Sequence, residues 1–184
     1  MKLGILLMNT GTADEPTVEA VARSLGEFLM DPAIISAPYF IRKPLVRHIC
    51  KTRPHRTVEN YRAFWTPEGS PFMIASRSQA SRLQQVLRER GEDGARVALA
   101  MRYGNPSIAA GLEELQADGC DTVVLLPCYP MQDNVCAGTC LKEARAQLSK
   151  LNKRGWHPRM VEIPSFFDQP AWREALIEAV REAW

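Results

Sequence analysis

Leu3-Gly4-Ile5-Leu6-Leu7-Met8 runs straight into Asn9-Thr10-Gly11-Thr12, and the fold is decided by this stretch. An unbroken apolar run that stops at a tight polar turn is the pattern of a strand buried on both faces. Immediately downstream, Thr17 to Leu29 carries Val18, Val21, Leu25, Phe28 and Leu29 at helical spacing. Pro16 stands ahead of it and Asp31-Pro32 ends it. Further out, Ser76 to Arg90 reads as an amphipathic helix with Leu83, Val86 and Leu87 inward, closed by Gly91 and Gly94. Strands at Arg96–Met101, Thr122–Leu126 and Arg159–Ile163 alternate with helices at Ser107–Ala117, Gly138–Leu151 and Gln169–Trp184. Such alternation predicts an α/β fold of three layers, a four-stranded parallel sheet flanked by helices and joined by right-handed crossovers.

The stretch from 33 to 66 departs from that rhythm. Prolines 38, 44 and 54 divide it, while Tyr39, Phe40, Ile41, Leu45, Val46 and Ile49 keep it apolar. It is expected to form a short helix with irregular flanks, projecting as a lid. The same pattern also suits core packed beneath a long loop.

At 184 residues, with 46% hydrophobic and 24% charged residues, the chain is sized for one domain with its own core. The 23 basic and 21 acidic residues are interspersed, so no nucleic-acid-binding stripe is present. The one local excess, Arg42 to Arg56, reads as a solvated face or as a surface attracting carboxylates, anionic headgroups or an acidic partner. The first residues lack a cleavage signature, and no segment approaches the roughly 18–20 apolar residues of a membrane span. Five cysteines, an odd number without an export signal, point to free thiols and a cytoplasmic location.

In parallel α/β sheets ligands sit beyond the carboxyl ends of the strands. Three turns fall there: Asn9-Thr-Gly-Thr, Arg102-Tyr-Gly-Asn-Pro-Ser, and the run from Pro127 to Thr139. Gly11, Gly104 and Gly138 permit sharp turns or close approach, and Tyr103 and Tyr129 offer rings and hydroxyls. No phosphate-cradling glycine pattern follows the first strand. An aromatic, carboxylate-bearing ligand suits these turns better than a diphosphate.

Read in order, GILLMNTGTADEPT, FLMDPAII, NYRAFWTPEGSPFM, AMRYGNPSI and LLPCYP resemble the ferrochelatases, enzymes that insert ferrous iron into a porphyrin. The resemblance implies a Rossmann-like, chelatase-like lobe, the amino-terminal one of two related by a pseudo-twofold, with the macrocycle between them. Residues 1–184 would form that lobe, 33–66 the lip of the cleft where some members touch a membrane peripherally, and 169–184 a helix leading to the second lobe. It implies that Asn9, Gly11 and Thr12 floor the cleft and that Tyr61, Arg62 and Ser70 lie along its wall. Arg102 and Tyr103 would face the macrocycle near the metal path, and Tyr129 would order the loop beneath it.

Two departures bear on the chemistry. After Tyr129-Pro130 the family carries a hydroxyl-rich run, whereas this chain has Met131-Gln-Asp-Asn-Val-Cys-Ala-Gly. Asp133 and Cys136 are therefore candidate iron ligands, or else a cap and first-turn packing for the next helix. The family's metal-binding, proton-abstracting histidine lies in a Ser-x-His motif beyond residue 184, and its acidic partner lies further on. His48, His55 and His157 are not spaced as a metal pair. Cys128, Cys136 and Cys140 fall close together, but the family's cluster ligand in this half aligns with Asn134, so no iron–sulfur cluster and no other cofactor are expected.

The expected partners are a porphyrin, ferrous iron, and a carboxyl lobe or a second copy of this chain. Protoporphyrin and coproporphyrin are not distinguished. A non-catalytic tetrapyrrole-binding protein and a homodimeric chelatase are the competing readings.

Overall fold

In the computed structural model, which describes residues 2–184, four strands form one parallel sheet. The elements in order are β1 (Leu3–Asn9), α1 (Val18–Leu29), α2 (Tyr39–Thr52), α3 (Pro54–Phe64), α4 (Pro71–Glu89), β2 (Arg96–Met101), α5 (Ile108–Ala117), β3 (Thr122–Pro127), α6 (Ala137–Asn152), β4 (Arg159–Glu162) and α7 (Pro170–Ala183). The strand order is β2-β1-β3-β4, with β1 paired to β2 on one side and to β3 on the other. The α/β class and the parallel four-stranded sheet are as the sequence predicts.

β1 is buried from Gly4 through Met8, which is why its sequence is apolar without alternation. Leu6, Met8, Ala98, Ala100, Val123 and Leu125 pack on one face of the sheet against Ile108, Leu112 and Leu115 of α5 and Cys140, Leu141, Ala144 and Leu148 of α6. Gly111 of α5 lets that helix sit close, since a Cβ there would lie 2.7 Å from Leu6 Cδ1. The opposite face is thinner. α4 packs on β2, while Val97, Leu99, Val124 and Leu126 stay only half-buried.

Residues 33–66 differ from expectation: they hold two well-formed helices, α2 and α3, rather than one short helix with irregular flanks. Each proline is placed where it costs little. Pro38 is the N-cap of α2, Pro54 is at the start of α3, and Pro44 lies on the exposed side of α2. The helix expected to begin at Ser76 begins instead at Pro71, because Ser70 accepts a hydrogen bond from the Met73 N–H and caps it. The Arg42–Arg56 stretch is exposed at most positions, but Arg42 itself is buried.

The core assignment makes a direct prediction. Leu112, 0% exposed between helix and sheet, should on substitution to Ala lower the unfolding free energy by about 2–5 kcal/mol in a urea melt. Val180→Ala on exposed α7 should change it by no more than about 0.5 kcal/mol. Equal effects of the two would misplace the core.

Candidate functional site

The chain leaves β1 toward β2 through α1–α4 and leaves β3 toward β4 through α6, in opposite directions along the sheet, so the β1 and β3 ends flank a topological switch point. The three predicted turns meet there. The backbone N–H of Arg102 donates to Asn9 O at 2.8 Å, Tyr103 N–H to Thr10 O at 2.9 Å, and Cys128 N–H to Met8 O at 2.7 Å.

Asn9, the last residue of β1, organises the floor. Its Oδ1 accepts from Thr10 N–H at 2.9 Å and from the Tyr129 hydroxyl at 3.2 Å, and its Nδ2 donates to Ser76 Oγ on α4 at 3.3 Å. The Tyr129 hydroxyl also bonds Thr10 Oγ1. Burial pushes the Tyr129 phenol up to about 12, so it is a fixed, protonated strut at neutral pH.

Above this floor lies a cavity of about 240 Å³ lined by Thr10, Gly11, Thr12, Leu25, Phe28, Thr57, Tyr61 and Tyr103. Tyr61 of α3 packs against Phe64 and Trp65, with ring centroids 5.4 and 5.9 Å away. Tyr103 stands edge-on to Phe28 at 5.3 Å. Gly11, Thr12, Tyr61 and Tyr103 are thus brought together from residues far apart in the chain. Among the described residues no histidine or carboxylate lines this cavity.

The other predicted residues lie around it. Ser70 is buried as the α4 cap and borders a separate open groove of about 860 Å³, which shares Thr12 and runs past Trp65, Met73, Arg77 and Gln84 to the edge of β2. Arg62 is exposed on α3 and borders neither space. Arg102 points to a third cavity, of about 290 Å³, between Glu27, Asp31, Lys142 and Glu143.

Asp31, which the sequence offered only as a helix stop, holds the Arg102–Tyr103 turn. Its Oδ2 accepts from Arg102 Nη2 at 2.5 Å and from the Tyr103 hydroxyl at 3.0 Å, and its Oδ1 accepts from Ala33 N–H at 2.8 Å. The Arg102 guanidinium also lies 4.6 Å from the Tyr103 ring centroid. Burial raises the Asp31 pKa, but the Ala33 N–H, the Tyr103 hydroxyl and the Arg102 charge outweigh it and hold the carboxyl below the ordinary range. Burial, then the bond to Asp31, lifts Tyr103 to about 12.

Of the two iron-ligand candidates, Asp133 is already engaged. Asp133 caps α6, its Oδ1 accepting from Val135 N–H at 2.7 Å and from Cys136 N–H, and its Oδ2 from Ala137 N–H at 3.1 Å. Burial, and then the Asp133 carboxylate, raise the Cys136 pKa. Burial lifts Cys128 to about 11 and Cys140 to about 12, so these thiols stay protonated at neutral pH. Among the described residues no group of three or more His, Cys, Asp or Glu side chains is placed to hold a metal ion. His48, His55 and His157 are all exposed.

Two outcomes follow from this geometry. Gly11 has φ +105°, and a Cβ there would fall 1.8 Å from the Tyr103 carbonyl oxygen, so Gly11→Ala must separate the two turns. It should cost clearly more in a thermal melt than Gly91→Ala, whose φ of +82° carries strain of about 1–3 kcal/mol but whose Cβ would meet nothing within 4 Å. Because the folded values of Tyr103 and Tyr129 are raised to about 12, their contribution to stability is complete below the unfolded tyrosine value of about 10 and lost as pH rises through 12. Ultraviolet titration of native protein should leave Tyr103 and Tyr129 un-ionised at about pH 10, the ordinary tyrosine value.

The sequence profile of the ferrochelatase family matches residues 2–184. Among curated relatives, ferrochelatase of Bordetella pertussis is 36% identical over 184 residues, covering 100% of this chain and 50% of that protein. Ferrochelatase of Chromobacterium violaceum is 38% identical over 187 residues, again 100% and 50%. Ferrochelatase of Coxiella burnetii is 37% identical over 183 residues, 98% and 48%. The chain spans about half the length of the curated relatives it matches. With a parallel sheet in the order 2-1-3-4 and an aromatic cavity at its switch point, it belongs to the ferrochelatase family.

Proposed function

We propose that this chain is the porphyrin-binding lobe of a ferrochelatase, inserting ferrous iron into protoporphyrin IX or coproporphyrin III when a carboxyl lobe completes the cleft. The observation that carries the reading is the strand-end cavity. It presents tyrosines from two walls, yet at about 240 Å³ it falls below the roughly 300–1,000 Å³ of a complete ligand pocket. It is half of a cleft.

Metal insertion exchanges two pyrrole protons for one ferrous ion. It needs a base for the protons, a ligand that hands over the metal, and walls that hold the ring bent. This lobe supplies the wall. Gly11 lets the Tyr103 turn close against the floor, Tyr61 and Tyr103 line the cavity with their rings, and the Asn9–Tyr129 network keeps the floor from yielding. Among the described residues no histidine or carboxylate lines the cavity, and Tyr103 and Tyr129 hold their protons to about 12. The base and the metal ligand then come from the second lobe. No described helix is long and apolar enough to cross a membrane. Tyr39, Phe40, Ile41 and Leu45 of the lip are exposed beside lysine and arginine, which suits peripheral contact with an anionic bilayer.

Titration of the purified chain with protoporphyrin IX or coproporphyrin III should shift the porphyrin absorbance at saturable stoichiometry, and added ferrous iron or zinc should not be inserted. Insertion that rises with the square of protein concentration would instead identify a homodimer that supplies its own base. Absence of porphyrin binding would overturn the reading.

A further inference from the structure

The lip helices take their packing from α1 and from each other. What ties them to the strand ends is a chain of polar contacts through the connection between α1 and α2. At one end stands Asp31, its side chain 6% exposed, joining the Arg102–Tyr103 turn to Ala33 across 71 positions of sequence. At the other stands Arg42, in the first turns of α2 and 8% exposed. Its Nη1 donates to Ile35 O at 3.0 Å and to Ala37 O at 3.1 Å, and no carboxylate among the described residues is paired with it. The segment is therefore pinned to the sheet by one buried charge and to the lip by another.

We propose that Asp31 is a positioning residue of the cleft: by latching the α1–α2 connection to the Arg102–Tyr103 turn, it fixes the lip helices over the strand-end cavity. The consequence for the cavity is direct, because Tyr61 belongs to α3 and Tyr103 to the latched turn, and the two contribute to the same lining. A lip released from the turn separates those walls. Arg102 makes the latch charge-dependent. Its Nε is buried without a partner, so loss of the Asp31 charge leaves the guanidinium without its hydrogen-bonded anion and drives the turn to rearrange, toward Glu27 and Glu143 of the same cavity. For its ligand, though not for its mechanics, this inference rests on the porphyrin-lobe reading.

Asp31→Asn in the full chain tests it. The amide oxygen still accepts from Ala33 N–H, while the position of Oδ2 becomes an NH2 that can donate to the Tyr103 hydroxyl oxygen, and what is lost is the charge and the acceptor facing Arg102. Hydrogen–deuterium exchange should quicken about tenfold across residues 31–64 while the amides of β1 and β3 stay protected. Protoporphyrin IX should bind about tenfold more weakly, with its bound Soret band moved toward that of the free porphyrin. Because the two residues act as one device, Asp31→Asn combined with Arg102→Met should be no worse than Asp31→Asn alone. Unchanged exchange in 31–64, exchange that rises equally in the sheet, or porphyrin affinity untouched despite a loosened lip would each overturn the proposal. Should the unmodified chain bind no porphyrin, the lobe reading fails, and the exchange pattern alone still decides whether Asp31 is the latch.

Discussion

β1 is hemmed in on every side: β2 and β3 pair along its two edges, α5 closes one face, and Gly4 through Met8 have no contact with solvent to spare. A strand so placed can end in one way, at the carboxyl edge of the sheet, and its final side chain becomes the natural anchor for whatever is built there. Asn9 fills that role with both ends of its amide. Its oxygen takes the next backbone N–H and a tyrosine hydroxyl from the β3 side, and its nitrogen reaches α4. The turn that follows must then pass within van der Waals contact of the β2 turn, and Gly11, with φ +105° against the Tyr103 carbonyl, is the residue that permits it. The switch point, the floor and the close approach are one constraint expressed three times.

The two faces of the sheet are built to different standards. Between sheet and α5–α6 the side chains are buried to a few per cent exposure, the density of an ordinary core. On the other face α4 covers β2, and a cavity of about 310 Å³ lined by Leu7, Leu83, Leu126, Phe166 and Trp172 lies beyond it. α7, which follows β4, buries none of its residues, and Leu176, Ile177 and Val180 are about half exposed. Rigidity on the α5–α6 side holds the strand ends still, and it is from those ends that the cavity is hung.

How much of this was legible follows from range. Strands with continuous apolar runs were placed within a residue or two, because both-face burial is a local signal that few other structures share. The lip is hard to read because its three prolines resemble breaks, whereas two of them sit at helix starts and the third on an exposed side. The role of Asp31 is hidden for a different reason. Asp-Pro at a helix end has a sufficient local explanation, and the partners that give this aspartate its role lie 71 and 72 positions away. Arg42 reads as part of a basic surface because its burial depends on loop carbonyls that no periodicity reveals. Asp133 had two readings, and the three backbone N–H groups it receives favour the cap.

The protonation states carry one step further. Every buried acid at the strand ends that could lose a proton is held in one state: tyrosines and thiols neutral by desolvation, Asp31 charged by its three donors. A group held that firmly is a poor proton carrier, since general-base catalysis works best when the carrier's pKa lies near the working pH. It is a good wall, because its hydrogen bonds do not rearrange as protons move nearby. On the proposed reading, the lobe's fixed charges and the proton traffic of metal insertion belong on opposite sides of the macrocycle. A base set among these residues would have to break the Asn9–Tyr129 or Asp31–Tyr103 bonds each time it turned over.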